Sequence, residues 1–164
     1  MNLVLSQELA KKLTEKGATV YLTREGDYDL SKSSTNRKRS DLYNRALKIN
    51  ASKCDLYISI HLNSTTSSTW KGLQIFYNTN VKENEQVAKI MNDTLKTKLS
   101  NIRDIKKENS YYMYKFIKVP GILIEAGFIS NPNDNYALRQ PDYRDKLTNA
   151  ITAGVENYFN ASTS

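Results

Sequence analysis

The sequence predicts an α/β domain in which a three-layer, mostly parallel twisted sheet is flanked by helices. Helical and strand patterns alternate along the chain, which is typical of a parallel sheet with crossover helices. The apolar run Gly121–Glu125 (GILIE) has the composition of a strand that is buried on both faces. No internal repeat or linker divides the chain, so we expect residues 1–164 to form a single domain.

The first predicted element is a helix. Leu5, Leu9 and Leu13 recur at every fourth position and define one helical face, and Gly17 is suited to end the helix. The next residues, 18–23 (ATVYLT), are β-branched and aromatic and predict a strand. The elements that follow are a polar loop over 24–35, a helix over roughly 37–52, a strand over 56–61, a Ser/Thr loop over 63–69 and a strand over 72–77.

The second half of the chain continues the alternation. A long helix is predicted from the apolar spacing between Val87 and Leu99, and the strand Gly121–Glu125 follows Pro120. Residues 131–134 have the composition of a turn. Apolar residues at i, i+4 spacing predict a final helix from Tyr143 to Phe159.

The start of the chain is unusual for this fold class, in which a strand normally comes first. Met1 leads directly into the first helix, with no Ser, Thr or Asp to cap it. From this we expect an N-terminus shortened relative to a complete domain, and we see no signal peptide in the printed residues.

Composition excludes several classes of site. The single cysteine, Cys54, excludes an internal disulfide framework and a cysteine-rich metal cluster. The single histidine, His61, excludes any site that needs two histidines from this chain. The net charge is +7, but the basic residues at 32–39 and 103–107 lack the interleaved aromatic residues of a base-stacking surface. We therefore interpret both clusters as solvated loop charge, and the net charge fits anionic cell-surface polymers at least as well as a nucleic acid.

His61 and Glu125 are the strongest candidates for chemistry, because each stands at the end of a predicted buried strand. Functional groups gather at strand ends in parallel α/β sheets. A carboxylate at the mouth of an apolar strand is partly desolvated, which raises its pKa and suits a general base or acid. Taken alone, either residue could instead be structural, His61 as a hydrogen-bonded histidine and Glu125 as a carboxylate that points to water.

Other residues are weaker candidates. Arg24 follows a strand, and Arg45 lies between apolar positions of a helix and could face inward, although a surface location suits both. Cys54 is expected to be a small buried apolar residue rather than the partner of His61 in a nucleophilic pair. The aromatic segment Tyr111–Phe116 could line a ligand site or pack against an edge strand.

Taken in order, four segments resemble the zinc-dependent N-acetylmuramoyl-L-alanine amidases of the amidase-3 type, which are cell-wall enzymes. The segments are Thr23–Asp27 (TREGD), an Arg-x-x-x-x-Leu-x-x-Arg pattern that ends at Arg45, Ser59–Asn63 (SIHLN) and Pro120–Pro132 (PGILIEAGFISNP). The resemblance covers almost the whole chain. It is greatest to the spore-cortex, germination-type members from low-GC Gram-positive bacteria.

The resemblance implies a mechanism, a substrate and a location. The family holds one zinc ion with two His and one Glu, and a second Glu transfers protons during cleavage of the bond between the muramoyl lactyl group and L-alanine. His61 matches the second zinc-ligand histidine and Glu125 matches the catalytic glutamate; substrate-binding residues stay unassigned. The implied partners are peptidoglycan and an activating protein, at an extracytoplasmic location in the cell wall or spore cortex.

The sequence also departs from the family. The family's first zinc histidine lies in a Gly-His-Gly-Gly segment after the opening strand, and its zinc glutamate comes just before the first helix; neither segment is present. Glu8 falls about two helical turns too late to replace that glutamate. Because the chain supplies one of three zinc ligands, we expect it to be inactive, or nearly so, as printed.

Three hypotheses follow. The first is an amidase catalytic domain in a shortened chain. The second is a metal-free relative that binds peptidoglycan or a protein partner without cutting it, although the intact motif around Glu125 favours the first. The third is a basic nucleic-acid-binding domain, which only the net charge supports.

Overall fold

A computed structural model describes residues 1–162, and its centre is a four-stranded sheet in the order β1-β4-β2-β3. The strands are β1 (Tyr57–Asn63), β2 (Gln74–Tyr77), β3 (Lys106–Lys107) and β4 (Gly121–Phe128). β1 pairs with β4 and β2 with β3 in parallel, whereas β2 and β4 are antiparallel. Two of the three pairings are therefore parallel, and the predicted mostly parallel sheet is confirmed.

Helices cover both faces of the sheet, which gives the predicted three layers. They are α1 (Asn2–Glu15), α2 (Arg37–Ser52), α3 (Asn84–Lys98), α4 (Pro132–Arg139) and α5 (Pro141–Ser162). Helices α1, α3, α4 and α5 share one hydrophobic cluster, whereas α2 and a short 3-10 helix, Tyr112–Lys115, share the other. Among residues 1–162, every helix is too short or too polar to traverse a lipid bilayer.

β4 separates the two clusters. All eight of its residues are buried, as expected for a strand that lies between two layers of helices. Ile122 and Ile124 point into the cluster beneath α1, α3, α4 and α5, and Leu123 points into the cluster beneath α2. Because side chains alternate along a strand, Glu125 lies on the same face as Leu123.

Local sequence accounts for the first two helices. Leu5 and Leu9 are buried on one face of α1, and Gly17 follows the helix with φ +90°, a conformation that glycine adopts without strain. The observed α2 has the predicted bounds, with Ala46 buried against the sheet. Lys53, the residue after the last turn of α2, adopts the left-handed conformation and caps the helix.

Two sequence predictions were wrong in detail. Residues 18–23 are irregular rather than a strand, because within residues 1–162 no strand lies against them to complete a ladder. The turn expected at 131–134 instead starts α4: the Asn131 side chain accepts hydrogen bonds from the backbone N–H groups of Asn133 and Asp134 and so caps the helix. The aromatic segment forms the 3-10 helix, and the two-residue strand β3 was not predicted.

Asp134 ties the end of β4 to the start of β2. Its Oδ2 atom accepts hydrogen bonds from the backbone N–H groups of Gly72 (2.8 Å) and Phe128 (2.9 Å). Gly72 has φ +93°, and a Cβ atom there would lie 2.3 Å from the carbonyl oxygen of Asn101. The backbone that leads into β2 therefore requires a glycine at position 72. The N–H group of Gly72 also requires the acceptor that Asp134 of α4 provides.

Replacing Asp134 with Ala should lower the free energy of unfolding by about 1–3 kcal/mol, because two backbone donors lose a charged acceptor. Urea unfolding at pH 7 measures the change. Asp93→Asn is the control, since Asp93 is exposed on α3 and has no side-chain hydrogen bond or ion pair within residues 1–162. Equal stability of the two variants would contradict a role for Asp134 in joining β4 to β2.

Candidate functional site

The candidate site is a row of three polar side chains that crosses the sheet near the carboxyl end of β4. In the strand register, Glu125 lies opposite His61 of β1 on one side and opposite Gln74 of β2 on the other. Directly paired residues point to the same face, and adjacent strands lie about 4.8 Å apart. The structure therefore brings together the two residues on which the sequence-based hypothesis depended, His61 and Glu125, on the face that α2 and the 3-10 helix cover.

Glu125 is buried with incomplete hydrogen bonding. Only 8% of the residue is exposed, and its Oε2 atom is buried without a hydrogen-bond partner within the described residues. Desolvation of the ionised form raises the pKa of Glu125 to about 7. A carboxyl group with this pKa can exchange a proton near neutral pH, as a general base and acid must.

His61 differs from Glu125 in its exposure. Its surface is accessible, yet enough protein surrounds the imidazole that desolvation lowers its pKa, and the positive charge of Arg45 lowers the pKa further. Both effects favour the neutral imidazole at pH 7, and this form has a free nitrogen lone pair. The His61 side chain also faces a groove of about 1060 Å³ that separates β1 from residues 18–23.

The two candidate arginines have structural partners. The Nε atom of Arg45 lies 2.9 Å and 3.0 Å from the two carboxylate oxygens of Asp41, and its Nη1 donates to the Thr23 hydroxyl. The side chain is therefore half-buried and paired, as an inward-facing arginine requires. Arg24 donates to the Gly26 carbonyl oxygen and so orders the loop after residues 18–23.

The remaining candidates contribute mainly to packing. Cys54 is half-buried, with Sγ 4.0 Å from the Ile49 carbonyl oxygen, and it precedes β1 at the end remote from His61. Tyr114 is 1% exposed in the core, and the Tyr43 and Phe116 rings meet edge to face at 4.9 Å. Glu8 forms an ion pair with Arg144 at 3.0 Å, which joins α1 to α5.

Sequence reasoning missed one neighbour of Glu125, Gln74, and left the role of a second, Tyr111, open. Gln74 lies opposite Glu125 on β2, and the Gln74 amide donates to the Asp104 carbonyl oxygen. Tyr111 lies close enough that the negative charge of Glu125 contributes, after desolvation, to the raised pKa of the Tyr111 hydroxyl. Only the strand register and the 3-10 helix reveal these positions, because neither residue lies in a recognisable motif.

A cationic and aromatic platform is formed by Arg103 with the Trp70 and Phe128 rings. The Arg103 guanidinium lies 4.9 Å from the centre of the Trp70 ring and 5.6 Å from that of Phe128, and Trp70 is 52% exposed. The Arg103 backbone N–H donates to the carbonyl oxygen of Leu73, the residue before β2. The platform therefore lies next to the start of β2, the strand that carries Gln74.

The described residues do not fit a zinc ion on their own. Within residues 1–162, no three His, Cys, Asp or Glu side chains are grouped as metal ligands. His61 and Glu125 offer one imidazole and one carboxylate, whereas a catalytic zinc is held by three protein ligands and also binds water. The row of His61, Glu125 and Gln74 can thus provide a group for proton transfer and one nitrogen ligand for a metal ion.

Comparison with protein families gives a match over residues 1–157 to the model of the N-acetylmuramoyl-L-alanine amidases. A germination-specific N-acetylmuramoyl-L-alanine amidase of Bacillus subtilis is 43% identical over 152 residues. That alignment covers 90% of this chain and 64% of the relative, so the chain spans less than two thirds of that relative's length.

Solved structures agree with this match. The CwlD amidase of Clostridioides difficile, solved in complex with the GerS lipoprotein, superimposes with a TM-score of 0.90 at 30% identity. The superposition covers 97% of this chain and 84% of that one. An N-acetylmuramoyl-L-alanine amidase of Clostridium difficile 630 gives a TM-score of 0.84 at 28% identity, covering 96% and 81%.

Glu125→Gln should make stability less dependent on pH. Because the folded protein raises the pKa of Glu125 from 4.5 to about 7, ionisation destabilises the native state as pH rises through this interval. We expect the Gln variant to be more stable above pH 7 by up to about 3 kcal/mol, and the difference to vanish below pH 4.5. Urea unfolding of chelator-treated protein at pH 4, 6 and 8 measures it; a pH-independent difference would refute the raised pKa.

Proposed function

The chain belongs to the N-acetylmuramoyl-L-alanine amidase family, and from that premise we propose that it is the hydrolytic part of a peptidoglycan amidase. The bond cleaved is the amide between N-acetylmuramic acid and the L-alanine of the stem peptide. One observation carries the assignment of the site: a buried carboxyl group with a pKa of about 7, Glu125, lies beside His61 at the end of two paired strands.

Glu125 supplies the proton transfer that amide hydrolysis requires. Its ionised carboxylate accepts a proton from water as the water oxygen bonds to the amide carbon. The protonated carboxyl then donates that proton to the departing nitrogen while the carbon–nitrogen bond breaks. The raised pKa of Glu125 suits both steps, because the group takes up and releases a proton close to neutral pH.

Zinc dependence is general in this family, and we extend it to this protein as part of the proposal. A bound zinc ion would supply a Lewis acid for the scissile carbonyl and for water. His61 can give one nitrogen ligand, and its lowered pKa keeps that nitrogen unprotonated near neutral pH. Within residues 1–162 the other two ligands are lacking.

The chemistry of the Trp70–Arg103 platform suits contact with peptidoglycan. Peptidoglycan combines sugar rings with the carboxylates of its stem peptides. An exposed indole can pack against a sugar face, and the Arg103 guanidinium has no carboxylate partner within the described residues. We propose that the platform holds the part of the substrate that extends past Glu125 toward β2.

Location and partner are further parts of the proposal. The similar proteins are germination-specific and cell-wall amidases, which supports an extracytoplasmic location in the cell wall or spore cortex. The CwlD amidase was solved with a lipoprotein partner. By extension, this protein binds peptidoglycan and an activating protein.

A second candidate function is binding to peptidoglycan or a protein partner without cleavage. The observation that favours it is the missing group of three metal ligands within residues 1–162. The two functions differ in one measurable respect: a non-catalytic relative releases no new L-alanine amino groups from peptidoglycan, whereas the amidase does.

In the protein that contains this chain, Glu125→Gln should lower the release of L-alanine amino groups from purified peptidoglycan by about 10²–10⁴-fold, because the proton-transfer group is lost. Zinc content, measured by elemental analysis, should stay unchanged. Glu15→Gln is the control, since this carboxylate is 60% exposed on α1. Full activity of the Glu125 variant would remove Glu125 from the reaction, and no activity in the unmodified protein would favour the binding-only function.

Arg103→Gln should weaken binding to soluble muropeptides by about tenfold, as expected for loss of one charge-assisted contact. The effect should appear mainly in KM, because the platform holds substrate away from the scissile bond. Arg139→Gln is the matched control: Arg139 lies on α4 and its Nε donates to Asn135. Equal affinities of the two variants would exclude the platform from substrate binding.

A further inference from the structure

Two cations lie over one tyrosine ring, in the layer of α2 and the 3-10 helix that covers the Glu125 face of the sheet. The Arg39 guanidinium lies 5.7 Å from the centre of the Tyr112 ring, and the Lys115 ammonium lies 6.0 Å from it. Both of these basic residues are exposed. We refer to Arg39, Tyr112 and Lys115 as the cationic patch.

Packing between α2 and the 3-10 helix holds the patch in place. The Tyr112 ring meets the Phe116 ring edge to face at 5.1 Å, and the Phe116 ring meets that of Tyr43 in the same way at 4.9 Å. The Asn50 side chain of α2 donates to the Phe116 carbonyl oxygen (2.8 Å) and accepts from the Lys118 N–H group (3.0 Å). The two cations of the patch therefore extend from elements whose relative position is fixed.

No carboxylate of the described residues, 1–162, forms an ion pair with either cation of the patch. Carboxylates on neighbouring segments have other partners. Asp29 and Asp41 each pair with a different arginine of α2, and Glu108 accepts hydrogen bonds from the backbone and the hydroxyl of Ser110. The charge of the patch can therefore pair with an anionic ligand.

The patch borders the candidate site. The 3-10 helix begins directly after Tyr111, which lies close enough to Glu125 that the negative charge of Glu125 raises the pKa of the tyrosine hydroxyl. Arg39 lies about 9 Å from Arg45 toward the amino end of α2, and the charge of Arg45 acts on His61. A ligand that spans the row of polar side chains can therefore extend onto the patch.

The patch and the Trp70–Arg103 platform suit different parts of peptidoglycan. Trp70 is 52% exposed and presents an indole ring that can pack against a sugar face. The Tyr112 ring is half-buried beside Phe116 and the two cations, so the patch presents charge rather than an open aromatic face. The carboxylates of the stem peptides are the anionic groups of peptidoglycan, and they pair with arginine and lysine through charge-assisted hydrogen bonds.

We propose that the cationic patch binds the carboxylates of the stem peptide, so that the substrate lies across the site with its sugars toward Trp70 and its peptide toward α2. The proposal rests on the proposed function, because it orients the substrate of the same site. The scissile amide joins the two parts and then lies beside Glu125. Because only ionised carboxylates form these contacts, the protein prefers stem peptides with free carboxylates to amidated ones.

The test measures the binding of two ligands by calorimetry to the protein that contains this chain, with a chelator present so that neither ligand is cleaved. One ligand is a muropeptide of one disaccharide with one stem peptide, and the other is the same muropeptide with its stem carboxylates amidated. Amidation should weaken binding about tenfold, as expected for the loss of two exposed ionic contacts. The preference should shrink at high salt, because screening weakens exposed contacts.

A pair of double variants locates the preference. Arg39→Gln with Lys115→Gln should bind both muropeptides equally, at the affinity that the unmodified protein has for the amidated form. Arg139→Gln with Lys146→Gln is the matched control, since it removes the same two charges from exposed positions on α4 and α5, in the layer on the other face of the sheet. The control should keep the tenfold preference. Unfolding curves confirm that each variant is folded.

The outcomes separate this proposal from the proposed function. If the patch variant keeps the preference for free carboxylates, another cation such as Arg103 binds the stem peptide and the proposal is wrong. It is also wrong if the patch variant loses affinity only for poly(glycerol phosphate), because the patch is then a phosphate site. Equal binding of the two muropeptides to the unmodified protein overturns this proposal alone, whereas binding of neither overturns the proposed function as well.

Discussion

The burial of β4 between β1 and β2 is the constraint on which the rest of the structure depends. Because all eight residues of β4 are buried, its side chains must alternate between two apolar clusters, and a shift of one residue would exchange the faces. The alternation that places Leu123 beneath α2 also places Glu125 there. The register that pairs Glu125 with His61 and Gln74 is thus set by apolar packing over the length of the strand.

Burial of the Glu125 carboxyl group lowers the stability of the folded protein. The same burial raises the pKa of the group into the range that suits proton transfer. An ionised carboxylate loses hydration when it is buried, and within residues 1–162 its Oε2 atom recovers no hydrogen bond. A structural glutamate at this depth would be expected to have a cationic partner. Arg45, the cation that acts on His61, is instead held by both carboxylate oxygens of Asp41. Among residues 1–162 no cation pairs with Glu125, so desolvation is not offset and the pKa of Glu125 stays raised.

Sequence predicted those parts of the fold whose signals are local. The bounds of α2 and the burial of Gly121–Glu125 follow from periodicity and apolar runs, and the position of His61 and of Glu125 near the end of a strand follows from the same runs. The remaining features depend on contacts between residues that are far apart in the sequence. Residues 18–23 have strand propensity but no neighbour, and Gln74 reaches the site only because β2 is antiparallel to β4. Asn131 has turn composition, but its side chain caps α4 because Pro132 begins a helix.

β1 holds His61 at the candidate site, and among residues 1–162 this strand forms a ladder with β4 alone. Ile58 of β1 is half-buried, whereas its register partner Ile122 of β4 is 0% exposed. A strand paired along one edge frays more readily than a strand paired along both. The position of the His61 imidazole relative to Glu125 therefore depends on the ladder between β1 and β4, in which these two residues are themselves partners.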